Sequence, residues 1–141
     1  MITSVDTNVL VGLWDRDDSL NSAAQDALDN AVARGRLVIC GAVHSELLAF
    51  PRRTEAFVDE FLDDTGIAVD WITNEAIWRS AGRALQAYAK RRRKQTSSGP
   101  PRRILADFLI GAHAFEKGHT LLTLDQGIYK AAFPLLKIIN V

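Results

Sequence analysis

Short aliphatic runs alternate with stretches of helical periodicity along the whole chain, and few folds satisfy that alternation. Ile2 to Asp6, Leu37 to Cys40, Ala68 to Ile72 and Thr120 to Leu124 read as strands, and Lys137 to Val141 closes the chain with a β-rich run. Between them, Ala23, Ala24, Ala27, Leu28, Ala31 and Val32 repeat at helical spacing through Ser22 to Arg34, with Gly35 as a stop. Asp6-Thr7-Asn8 supply capping groups for a helix through Val9 to Val11, and Gly41 to Phe50 reads as a short helix ended by Pro51. Phe57, Val58, Phe61 and Leu62 mark another helix. Thr73 or Asn74 caps a long one carrying Ile77, Ala81, Ala84, Leu85 and Tyr88 on one face. Leu105, Phe108, Leu109, Ala112 and Phe115 resume the period before Gly118, and Asp125 to Phe133 is a last short helical segment. Apolar strands alternating with helices predict a mostly parallel sheet covered on both faces, a three-layer α/β/α sandwich. With no internal repeat, residues 1–141 read as a single domain.

Composition adds two constraints. The chain is 48% hydrophobic and 24% charged, enough for one ordinary core without disulfides. The single cysteine, Cys40, sits in an apolar run and reads as a buried small hydrophobe in a reducing compartment. The start lacks a basic n-region, and no apolar run approaches the ~20 residues that cross a bilayer, so no membrane is expected and the cytoplasm is. The net charge of +0 hides an asymmetry: the segment from Lys90 to Arg103 holds seven basic residues and no acid. A basic flap, with Ser97 to Pro101 as a loop, therefore adjoins an acidic body. That arrangement suits an anionic ligand at the flap and cations held by the body.

The carboxyl ends of strands in such a sheet are where ligands bind. Asp6 and Asp125 each follow a strand directly, Glu46 lies early in the helix after the second strand, and Asp107 lies in the first turn of its helix. Each has a plain alternative: Asp6 and Asp125 as helix caps, Glu46 as an exposed helix acid, Asp107 as a partner of the helix dipole. Their convergence on one edge decides against that, because four acids together repel unless cations bridge them. All-oxygen ligation suits Mg²⁺ or Mn²⁺ rather than zinc. His44, His113 and His119 are isolated in sequence and read as partly buried or surface residues. Trp14, Trp71 and Trp78, beside apolar neighbours, read as core or dimer interface rather than base-stacking groups.

Val5-Asp6-Thr7-Asn8-Val9-Leu10, then Glu46, then Ala106 to Ala114, then Leu121-Leu122-Thr123-Leu124-Asp125 together form an ordered set of motifs. In that order and spacing the chain resembles the PIN-domain nucleases, most closely their VapC subfamily, the toxins of type II toxin–antitoxin pairs. The resemblance covers essentially the whole chain. It implies a ribonuclease that hydrolyses RNA phosphodiesters with Mg²⁺ or Mn²⁺, with Asp6, Glu46, Asp107 and Asp125 as the acidic quartet. Thr7, Asn8 and Thr123 match polar positions that support the quartet. It further implies a small antitoxin protein as partner, and a homodimer is expected. The stretch from Lys90 to Pro101 is longer and more basic than in many relatives. Arg91, Arg92, Arg93, Arg102 and Arg103 are the expected contacts to the RNA backbone. Two other readings compete. A non-catalytic RNA-binding module would keep the fold without the chemistry, against which stands the intact quartet. A haloacid-dehalogenase-type phosphatase wants a second Asp two residues after the first, where this chain has Asn8.

Overall fold

A computed structural model describes residues 1–17, 19–94 and 104–141. Five strands, β1 (Ile2–Val5), β2 (Arg36–Cys40), β3 (Ile67–Asp70), β4 (Thr120–Thr123) and β5 (Ile138–Asn140), form one sheet in the order β3-β2-β1-β4-β5. Every pairing is parallel, with Ser4 opposite Val38 on one side and Leu121 on the other. The helices are α1 (Thr7–Trp14), α2 (Asn21–Arg34), α3 (Gly41–Leu47), α4 (Glu55–Thr65), α5 (Glu75–Lys94), α6 (Leu105–Lys117) and α7 (Gln126–Ala132). This is the expected α/β/α architecture. β1 is central, and the chain adds β2 and β3 on one flank and β4 and β5 on the other. The order therefore reverses between β1 and β4, and a crevice opens at their carboxyl ends.

Local chemistry sets the element boundaries. Thr54 and Asn74 accept hydrogen bonds from the Phe57 and Ile77 amides, starting α4 and α5, while Gly118 ends α6 with φ 72°. The strands bury their aliphatic side chains on both faces: Val5, Ile39, Leu121 and Leu122 are all shut from solvent, packed with Leu10, Ile77 and Phe108 from the helices. Cys40 is buried at the end of β2, and burial pushes its thiol pKa up, as suits a packing residue.

Three expectations need correction. β3 begins at Ile67 and stops at Asp70 rather than running from Ala68 to Ile72, because the Asp70 Oδ1 accepts the Ile72 amide at 3.0 Å and turns the chain. Of the two places expected for the tryptophans, core or dimer interface, the core holds for Trp14 alone: Trp71, beyond the end of β3, and Trp78, on α5, are 63% and 51% exposed. Of the three histidines expected to be partly buried or at the surface, His44 and His113 are buried and only His119 is partly so. His113 is buried and pairs with Asp70 at 2.8 Å, His44 pairs with Asp59 at 3.0 Å, and the His113 and His119 rings lie 5.6 Å apart.

Candidate active site

Asp6 leaves β1 at the switch point, and its amide donates to the Leu122 carbonyl of β4 at 2.9 Å. The carboxylate turns inward and is 4% exposed. Its Oδ1 accepts the Thr7 amide at 2.7 Å, capping α1, while its Oδ2 accepts the Thr123 hydroxyl at 2.8 Å and the Tyr129 hydroxyl at 2.9 Å. Burial raises the pKa of this carboxyl, the three hydrogen bonds oppose the rise without cancelling it, and the charge of Glu46 adds to it. The Tyr129 phenol is raised too, by its own burial and then by the Asp6 charge, so it stays a protonated donor at any physiological pH.

The remaining polar groups are tied to this centre one by one. The Thr7 hydroxyl donates to Glu46 Oε1 at 2.7 Å, joining α1 to α3. Asn8 Oδ1 accepts the Leu124 amide at 3.2 Å, joining α1 to the segment after β4. Thr123 Oγ1 both donates to Asp6 and accepts the Asp125 amide at 3.0 Å. Asp125 stands at the N-cap of α7, yet its side chain makes no capping hydrogen bond; the exposed carboxylate faces the crevice instead. Asp107 is half-buried in the first turn of α6.

All four acids, with Thr7, Asn8 and Tyr129, line one cleft of about 490 Å³. Among the described residues no three His, Cys, Asp or Glu side chains are drawn together closely enough to hold a metal ion as they stand. Like charges keep apart, and protein donors already hold Asp6 and Glu46. The donor set still fits a hard divalent cation, being all oxygen, and a cation would relieve the burial and repulsion that raise Asp6. No Lys, Arg, His, Cys or Ser lines the cleft among the described residues. Among the described residues, the cleft thus presents no thiol and no His–Ser pair for covalent catalysis.

Thr7, Asn8 and Thr123 sit where their motifs suggested, between the acids and the frame. Tyr129 escaped sequence reading as a site residue; the available signal was its place one helical turn after Asp125. Gly111 of α6 makes that tyrosine's position possible, since a Cβ there would come within 2.4 Å of the Phe133 ring and 3.1 Å of Tyr129. Arg91, Arg92 and Arg93 occupy the last turn of α5. Arg102, Arg103 and the loop from Ser97 to Pro101 lie outside the described residues.

An acid-lined crevice at the switch point of a parallel sheet defines a class of site, and comparison with known families gives that class a name. The PIN domain model matches residues 4–134, so the chain belongs to the PIN-domain family. No curated protein sequence matches the chain. Among solved structures, VapBC-1 of nontypeable Haemophilus influenzae superposes with a TM-score of 0.71 at 20% identity, covering 99% of this chain and 98% of that one. FitAcB of Neisseria gonorrhoeae gives 0.66 at 20% identity, covering 99% and 97%. Mycobacterium tuberculosis VapC20, described as a sarcin-ricin loop cleaving toxin, gives 0.56 at 16% identity, covering 93% and 95%.

Proposed function

We propose that this chain is a metal-dependent ribonuclease that hydrolyses RNA phosphodiester bonds, and that it acts as the toxin of a toxin–antitoxin pair. The observation that carries the reading is the single cleft lined by Asp6, Glu46, Asp107 and Asp125 around a buried, triply hydrogen-bonded Asp6. Membership of the PIN family supports it, as does the likeness of fold to VapC20 and to the VapBC and FitAB structures. Asp6, Glu46, Asp107 and Asp125 would hold Mg²⁺ or Mn²⁺, which would supply Lewis acidity and positive charge for a phosphodiester in the cleft. The chain's own groups do the rest. Thr123 and Tyr129 fix the Asp6 carboxylate and keep it available as an anion, Thr7 orients Glu46, and Thr123 also sets the backbone from which Asp125 projects. Among the described residues no basic side chain lines the cleft, and positive charge for the RNA backbone comes from Arg91, Arg92 and Arg93 at the end of α5, together with Arg102 and Arg103.

A protein partner has a surface beside the cleft. Trp14 packs edge-on against Phe50, Phe57 and Phe61, and the Arg53 guanidinium lies 4.8 Å over Trp14 and 4.6 Å over Phe57. Phe50 also lines the cleft, so apolar surface and acids are continuous. An antitoxin segment with apolar side chains for this shelf and Arg or Lys for the acids fits both. The exposed Trp71, Ile72 and Trp78 supply apolar surface for a homodimer. No helix among the described residues is long and apolar enough to cross a membrane, and RNA as substrate points to the cytoplasm.

The test is RNA cleavage by the purified chain with Mg²⁺ or Mn²⁺, with excess chelator, and in Asp125→Asn. Cleavage only with metal and wild-type Asp125 is expected. Undiminished cleavage in chelator overturns metal dependence, and RNA binding without cleavage makes the chain a non-catalytic binding module. Growth arrest relieved by the neighbouring gene's product tests the toxin assignment.

A further inference from the structure

A second hollow, of about 350 Å³, opens beside the catalytic cleft between the end of α5 and the start of α7. Asp125 and Ile128 line both spaces, so the two form one trough. Arg91 and Arg92 line it as well, together with the apolar Ile104 and with Tyr88, over whose ring the Arg92 guanidinium lies at 6.0 Å. The trough thus runs from four carboxylates at one end to two guanidinium groups at the other. Arg93, next in sequence, faces elsewhere and does not line it. One anion cannot serve both ends. A chain with anions at regular intervals can: one phosphate at the acidic end, its neighbour at the arginines, and the nucleoside that joins them along Ile128 and Ile104.

We infer that Arg91 and Arg92 form a subsite for the phosphate adjoining the scissile one, on the Asp125 side of the cleft. This rests on the ribonuclease reading above. It splits the basic run into two parts: Arg91 and Arg92 hold a defined phosphate in register with the reaction, while the other cations of the run contribute only a diffuse field. Arg suits the task because its planar fork engages two phosphate oxygens at once.

The experiment compares the double variant Arg91→Ala/Arg92→Ala with Arg34→Ala/Arg36→Ala, which removes the same charge from exposed positions at the opposite end of β2. Binding of a fluorescent single-stranded RNA is read in chelator, so that nothing is cut. Losing Arg91 and Arg92 lowers the slope of log affinity against log salt by roughly 1–2, and losing Arg34 and Arg36 leaves it unchanged. With Mg²⁺, cleavage of a short oligonucleotide should show KM raised on the order of tenfold and kcat kept within about twofold. When the neighbouring phosphate is replaced by an uncharged methylphosphonate, the same variant should raise KM no further. Additive effects of variant and methylphosphonate, or an equal loss in Arg34→Ala/Arg36→Ala, overturn the subsite. If the wild-type chain binds RNA with the predicted salt slopes but never cuts it, the ribonuclease reading falls, and Arg91 and Arg92 remain a phosphate contact without a place in a cleavage reaction.

Discussion

Asp6 and Asp70 both stand at the carboxyl ends of parallel strands, two strands apart and on the order of 10 Å from each other by ordinary strand spacing. Their charges are handled in opposite ways. Burial acts against the anion at Asp70 too, but His113 donates to it at 2.8 Å, the Ile72 amide adds a second bond, and Lys117 approaches to 3.7 Å. Those partners outweigh burial and hold its pKa below the usual value. Asp6 receives only neutral donors, faces Glu46, and is left above it. An acid that the chain neutralises itself is part of the scaffold. An acid that the chain orients but leaves un-neutralised is the one on which the proposed divalent cation would act, and this distinction separates the two ends of one sheet edge more sharply than burial does.

Exchanging the acids one at a time gives the widest predicted contrast. Asp6→Asn should lower RNA cleavage about a thousandfold, near 4 kcal/mol of transition-state stabilisation, while Asp70→Asn keeps it within a few-fold. Comparable losses in both, with circular dichroism showing folded protein, would erase the contrast. Next come the neutral donors. Thr123→Val and Tyr129→Phe should each cost roughly 10–100-fold in activity or in metal affinity, measured by Mn²⁺ titration, because they aim Asp6 without touching substrate. Gly111→Ala tests the same support from behind. Its methyl group has to displace Phe133 and Tyr129, so about 1–3 kcal/mol of stability should go in denaturant unfolding, together with part of the activity.

The smallest effect is a pH dependence. Asp70 has a folded pKa below its unfolded one, so its contribution is complete above about pH 4 and is lost as pH falls through the folded value. His119, lowered by burial and then by the charge of His113, loses its contribution earlier, as pH drops below about 6.5. Asp70→Asn should therefore flatten the acid limb of a stability profile below about pH 4 and, by removing the negative charge that partly offsets the lowering of His119, deepen the limb near 6. Asp6 works with the opposite sign, its burial penalty easing as pH falls through its raised pKa. An acid limb unchanged in Asp70→Asn would remove Asp70 from the scaffold.

How much of this was legible in the sequence follows from the range of each interaction. Strands and helices were readable from local periodicity, and Asp6 and Asp125 from standing directly after strands. β3 was misread at its end because one side-chain hydrogen bond, Asp70 to the Ile72 amide, overrode an apolar pattern that ran on through Trp71 and Ile72. Tyr129 could not be read as a support of Asp6, from which it is 123 residues away, nor could the His113 pairing with Asp70 across 43 residues. The basic run keeps helical form through Lys94, since nothing before Ser97 breaks a helix there. That extension brings Arg91 and Arg92 to the cleft's edge, which composition alone did not reveal.

The four acids come from four separate stretches of chain, and the hydroxyl that steadies the first of them is contributed by residue 129. On a ribosome, Asp6 emerges well ahead of Asp125 and Tyr129, with 123 residues separating it from the phenol that holds its carboxylate. A nascent copy that has not yet reached β4 lacks both the Leu122 carbonyl that receives the Asp6 amide and the Tyr129 hydroxyl, so its first acid is present but not yet held. Any chemistry that depends on the assembled cleft therefore cannot begin before residue 129 has been made and folded against β1.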